Sequence, residues 1–315
     1  MPFLRHAPPI RFAAPGLHPG GFTWSEALGA FLVCSQRQGK LVLVEKDGRC
    51  VDLLDHADLV TSMAVRERDG KAYVAVGHRG SGGRSASPKK SPGDDTILRI
   101  GRLCVFDIAS RRHLRTHELS RIVAGPHLVL PDDLAVGGDG TVWLTDACRP
   151  VVYRVPPPGR AGPHLFLADD RLGGNDGSSG RIGGITLVED RFLLLSSAGD
   201  GTLFKAPLEN PHEFRPVGIP HPFPGADAIE FGADGFLYLA ADAPGGAAGA
   251  VWRLAPDEHF ESVRVAAVDA RAAVGRPSGL AFASHRAWSI DGRVAEEQLR
   301  GVDSGDWSIV PFEAG

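Results

Sequence analysis

Residues 130–150 read LPDDLAVGGDGTVWLTDACRP. A polar opening (Pro131, Asp132, Asp133) leads into a short apolar run at 134–136. A tight Gly138-Asp139-Gly140 turn follows, and then a second apolar run at 141–145. Two short strands joined by a DG turn make a hairpin, because the turn needs positive φ and glycine supplies it without a Cβ clash. The pattern recurs in HPGGFTWSEALGAFLVCSQ (18–36), LVTSMAVRERDGKAYVAVGH (59–78), RIGGITLVEDRFLLLSSAGD (181–200), GADAIEFGADGFLYLAAD (225–242) and RPSGLAFASHRAWSID (276–291). Each version has a small or polar lead, a strand, a DG-like turn, a second strand and a polar loop.

The units recur about every 40 to 50 residues, with one longer interval between the second and third. Strands at that period, without helical periodicity, predict propeller blades. Third strands are expected at 40–45, 102–107, 151–155, 202–206 and 250–254, and fourth strands in most units. A four-stranded blade cannot bury both faces alone, and stacking around an axis solves that. The fold class predicted is therefore all-β, a six-bladed β-propeller with four-stranded antiparallel blades. It is read as a single domain over 1–315, with blades near 17–56, 57–120, 128–170, 180–220, 223–270 and 275–315. The six strands lining the axis are expected at 22–26, 62–65, 134–136, 185–187, 228–231 and 280–283. Residues 10–14 are expected to close the ring beside the C-terminal strands, removing a bare sheet edge.

Composition narrows the class. The chain has 43% hydrophobic and 23% charged residues and a formal charge of −4, so nothing points to nucleic acid or an anionic membrane surface. No apolar run approaches the ~18 residues that a spanning helix needs. The four cysteines, Cys34, Cys50, Cys104 and Cys148, are dispersed without CxxC spacing, and free thiols imply a reducing, cytoplasmic setting. The expected partner is a small-molecule substrate. Residues 77–95 (GHRGSGGRSASPKKSPGDD) break the rhythm and read as a solvated excursion or a lid over the axial mouth.

In an up-and-down blade, the loop into the first strand and the loop out of the second share one end, while the DG turns share the other. First strands line the axis, so their leading residues converge on one mouth. That set includes Gly20, Ser62, Asp132, Asp133, Gly183, Asp227 and Ser278, and the second-strand exits add His78, Asp146, Arg149 and Ser197. Carboxylates ringing an axial mouth suit a divalent cation or a polar small molecule. Each such Asp also has a turn-capping reading, which Asp139 and Asp234 in the DG turns take outright. Asp227, Asp132 and Asp133 are the candidate catalytic acids and bases, and His78, Arg149, Ser197 and Asp146 the candidate substrate contacts. No GxSxG, HExxH, P-loop or dinucleotide fingerprint is present.

PDDLAVGGDGTVWLTD, GADAIEFGADGFLYLAAD and RPSGLAF resemble the blade openings of the senescence-marker-protein/gluconolactonase superfamily, which includes strictosidine-synthase-like and paraoxonase-like propellers. The resemblance implies a lactonase or esterase-like hydrolase with one divalent cation, calcium or zinc, on the axis. It also implies a metal ligand at Asp227 and a substrate-contacting pair at Asp132-Asp133. The family's Glu and Asn ligands fall on Gly20 and Gly183 here. Asn175, or Asp176 beside it, is the candidate to fold over the channel as a substitute ligand. A metal-independent propeller enzyme, catalysing condensation or rearrangement, and a non-catalytic binding propeller are the alternative readings.

Overall fold

The computed structural model describes residues 7–77, 100–123, 129–173, 182–244, 249–270, 277–291 and 305–313. A lone strand, β1 (Ile10–Ala13), precedes the first blade. Blade one is β2 (Pro19–Ser25), β3 (Ala30–Ser35), β4 (Lys40–Val44) and β5 (Cys50–Asp55). Blade two is β6 (Ser62–Arg68), β7 (Lys71–Val76), β8 (Arg102–Asp107) and β9 (His113–Glu118). Blade three is β10 (Pro131–Val136), β11 (Val142–Asp146), β12 (Val151–Val155) and β13 (His164–Ala168). Blade four is β14 (Ile182–Val188), β15 (Phe192–Ser197), β16 (Leu203–Pro207) and the two-residue β17 (Arg215–Pro216). Blade five is β18 (Ala228–Phe231), β19 (Leu237–Asp242), β20 (Gly249–Pro256) and β21 (Val263–Asp269). Blade six is β22 (Pro277–Ala283), β23 (Arg286–Asp291) and β24 (Asp306–Pro311), completed on its outside by β1.

All six sheets are four-stranded and antiparallel, as the repeat predicts. Each first strand packs against the first strands of its two neighbours, so β2, β6, β10, β14, β18 and β22 line the axis. Four begin earlier than the apolar pattern suggests, and each of these is among the five that carry a register shift near the start. The shifts lie at Pro19/Phe22, Ser62/Ala64, Pro131/Leu134, Ile182/Ile185 and Pro277/Gly279. A bulge adds length that strict alternation does not show, and re-aims the side chains beside it.

Apolar residues from facing sheets fill the wedges between blades. Leu32 and Leu41 meet Val65, Val74 and Phe106 between blades one and two. Trp143 and Val152 meet Ile185, Leu193 and Leu195 between blades three and four. Ile10 and Phe12 join Trp307 and Ile309, which joins the chain's two ends in one cluster. The turns that join first to second strands share one end of the ring. Asp69 and Gly70 both take positive φ there, and Glu189-Asp190 and Ser284-His285 do so without glycine. Among the described residues no helix is long and apolar enough to cross a membrane.

Candidate functional site in the axial channel

The register places two opposite charges at one level of the axis. Arg66 pairs with Tyr73 and Glu230 with Tyr238, the same position in blades two and five. The other four blades carry Thr23, Ala135, Thr186 and Ala281 there. Blades two and five are three apart in a ring of six, so the side chains face each other across the axis. The Arg66 guanidinium spans the gap, and its Nη2 lies 2.7 Å from Glu230 Oε1 and 3.1 Å from Asp133 Oδ1. Its Nη1 donates to the Val65 carbonyl at 3.1 Å. Side-chain exposure is only 15% for Arg66, 9% for Asp133 and 18% for Glu230, so the network works largely out of water.

The two carboxylates are held differently. Asp133 Oδ1 accepts the Leu134 N–H at 2.8 Å, and Oδ2 accepts the Ile185 N–H of blade four at 3.2 Å. Those donors and Arg66 favour the anion, although burial still raises its pKa and Asp227 adds to the rise. Glu230 receives Arg66 and the Thr186 hydroxyl, which also accepts the Phe231 N–H at 3.2 Å. Burial, helped by the charge of Asp133, pushes the Glu230 carboxyl up to about 7. Burial also works against the charge on Arg66, but its two carboxylates outweigh that and its pKa rises. Cys34 lies close enough to feel Arg66 and Asp133, and burial pushes its thiol well above the ordinary range.

A cavity of about 170 Å³ opens beside this network. Its lining comes from the C-terminal halves of four first strands: Arg66 to Arg68, Ala135 and Val136, Ile185 to Leu187, and Glu230 with Phe231. These residues run into the tight turns, so the cavity lies at the turn end of the channel. The sequence reading looked to the loop end.

The residues named from sequence distribute as follows. Asp133 joins the network, and Asp227 lies near enough to raise its pKa. Asp227 and Asp132 are half-buried at the loop end. Asp146 is buried and accepts from Tyr153 Oη at 2.7 Å and from the N–H groups of Cys148 and Leu130 at 2.8 and 3.2 Å. It ties the exit loop of β11 to β12. Arg149 is buried near it and moderates the rise that burial imposes on the Asp146 carboxyl. Ser197 is buried and pairs in register with Ile182. His78 and Asn175, like most of 77–95, lie outside the described residues. Asp139 and Asp234 cap their turns: Asp139 takes Thr141 N–H and Oγ1, and Asp234 takes Phe236 N–H, Tyr238 Oη and Arg253. Arg66 and Glu230 were not singled out from sequence. Their signal was a charge on an inner strand at a position where the other four blades carry only alanine or threonine.

The described residues do not fit an axial divalent cation. A Cβ on Gly20 would lie 2.4 Å from the Met63 carbonyl oxygen, and one on Gly183 would lie 2.1 Å from that of Ala226. Real Cβ atoms do not approach so closely, so neither position can carry a ligand without moving the adjacent inner strand. Hydroxyls reinforce the same seams. Thr145 Oγ1 accepts the Asp133 N–H at 3.1 Å and donates to Gly183 O at 3.0 Å. Ser196 Oγ accepts the Gly184 N–H at 2.9 Å and donates to Ala226 O at 3.0 Å. Among the described residues no three His, Cys, Asp or Glu side chains form a group that could hold a metal.

No protein-family profile matches the chain, and no curated protein matches it. Solved structures do match over nearly its whole length. A gluconolactonase from Xanthomonas campestris shares 16% identity at a TM-score of 0.62, covering 96% of this chain and 89% of its own. A streptogramin B lyase shares 11% at 0.58, covering 97% of both chains. Regucalcin from Agrobacterium tumefaciens, described as a calcium-binding protein, shares 16% at 0.60, covering 96% and 92%. At these identities the likeness establishes the propeller fold.

Proposed function

We propose that this propeller is a small-molecule enzyme working by acid–base chemistry in its axial channel, with hydrolysis of a lactone or ester as its reaction. The observation that carries the reading is the pair of buried carboxyls bridged by one guanidinium nitrogen beside a cavity. Two carboxyls so coupled titrate as a unit, and the better-solvated anion keeps its charge while the other carries the proton. Asp133 has the backbone donors, so Glu230 is the proton carrier. A carboxyl titrating near neutral pH is matched to general acid–base work.

In hydrolysis, ionised Glu230 takes a proton from water as that oxygen bonds to the carbonyl carbon. The tetrahedral intermediate then breaks its bond to the alkoxide oxygen, and Glu230 returns the proton to that oxygen. The product is a hydroxy acid from a lactone, or an acid and an alcohol from an ester. Arg66 is a positioning residue that holds Glu230 and Asp133 in place. Gluconolactonase and lyase descriptions among proteins of this fold support an enzymatic reading, and the sealed positions at Gly20 and Gly183 favour a metal-independent one.

The test is a panel of small lactones and aryl esters assayed with wild type and Glu230→Gln. Loss of a proton carrier lowers kcat by about 100-fold or more, and chelator leaves the wild-type rate unchanged. Turnover that survives Glu230→Gln removes Glu230 from the mechanism. A panel without turnover, in a protein that still binds lactones, favours the non-catalytic binding propeller.

A further inference from the structure

The cavity carries a second cation besides Arg66. Arg68 sits at the rim, exposed, two residues along β6. Arg66 is engaged by two carboxylates, whereas among the described residues Arg68 makes only a long hydrogen bond, 3.4 Å, to the Val136 carbonyl. The neighbouring carboxylates each accept a backbone N–H, and Asp190 Oδ2 and Arg68 Nη2 both flank Gly138. Glu67 Oε1 accepts the Gly70 N–H at 2.9 Å, and Asp190 Oδ1 accepts the Gly138 N–H at 3.0 Å. Neither ion-pairs with Arg68. Between rim and floor the wall is apolar, formed by Val136, Leu187 and Phe231, while Glu230 and Thr186 supply the polar floor.

From this arrangement we infer that the cavity takes a small organic acid, its carboxylate on Arg68, its apolar body against Val136, Leu187 and Phe231, and its polar far end at Glu230 and Thr186. A cavity of about 150 Å³ holds a benzene ring, so a volume of about 170 Å³ admits a single ring or a short chain and excludes a disaccharide or a nucleotide. A guanidinium donates in a planar fork that matches a carboxylate and gains more from it than from a neutral amide. The inference rests on the function proposed above, for it names the substrate class of the same cavity: the reacting carbonyl lies at the Glu230 end and an anionic substituent at the rim.

The experiment is calorimetric binding of benzoate, with benzamide as the uncharged counterpart, to wild type, Arg68→Met, Arg68→Lys and Leu187→Trp. Wild type binds one benzoate per chain, at least about tenfold tighter than benzamide. Arg68→Met reduces benzoate to the affinity of benzamide, Arg68→Lys restores part of the preference, and Leu187→Trp fills the cavity and abolishes both. The inference is overturned if benzoate and benzamide bind equally, if the preference survives Arg68→Met, or if benzoate does not bind by about 10 mM. Glu230-dependent hydrolysis without a carboxylate preference would leave the function standing and remove this inference. A carboxylate preference with turnover indifferent to Glu230→Gln would do the reverse.

Discussion

The inner seams of the ring turn on single atoms. Gly183 and Gly20 allow first strands of adjacent blades to approach so closely that a Cβ would strike a neighbouring carbonyl. Gly183→Ala therefore forces β14 away from β18 and weakens the Thr145 and Ser196 bridges at that seam. Overpacking of a tight interior contact costs about 1–3 kcal/mol, so the variant should unfold at a clearly lower urea concentration than wild type. An unchanged midpoint would show that the seam opens without strain. The same geometry means that Gly20→Glu cannot install a metal ligand at the mouth. In the sequence, Gly-Gly before a strand reads only as a missing side chain, since the carbonyl it accommodates belongs to the next blade.

At the scale of elements, the repeat was legible because each blade writes the same small–apolar–turn–apolar phrase. Hydrophobic alternation located nearly every second and third strand. It placed most inner strands too late, because a bulge inserts residues that alternation does not count. Ring closure is the element most open to test. β1 donates Ile10 and Phe12 to the cluster around Trp307 and Ile309, and Trp307 Nε1 donates to the Ala14 carbonyl at 3.0 Å. Deleting residues 1–13 removes two buried side chains worth about 1.5–3 kcal/mol each and bares the edge of β24. The truncated protein should melt well below wild type and self-associate in gel filtration. A monomer with an unchanged melting temperature would show that blade six is stable with three strands.

The candidate site belongs to the whole molecule, and that is why the sequence half-concealed it. Asp132, Asp133 and Asp227 stand out because they open blades, whereas Arg66 and Glu230 meet only when six blades close and bring blade two opposite blade five. This arrangement makes stability depend on pH in a direction opposite to the usual carboxylate. Burial raises Glu230 from 4.5 to about 7, so between those values the folded state binds a proton that the unfolded chain has released. Its contribution is complete below about pH 4.5 and is lost as pH rises through about 7. The shift corresponds to at most about 3 kcal/mol. Asp133 and Asp146, also raised by burial, act in the same sense. The lowered groups act in the opposite sense: Asp257, held down to about 2 by backbone and Ser262 hydrogen bonds, is an example, and these groups lose stability only in stronger acid. Stability should therefore peak in mildly acidic solution and fall between pH 5 and 8. Urea unfolding across that range should show the fall in wild type and a flatter profile in Glu230→Gln, whose amide keeps the shape without the titration. Parallel slopes for the two proteins would mean that Glu230 is ionised throughout, and the acid–base reading of the channel would lose its proton carrier.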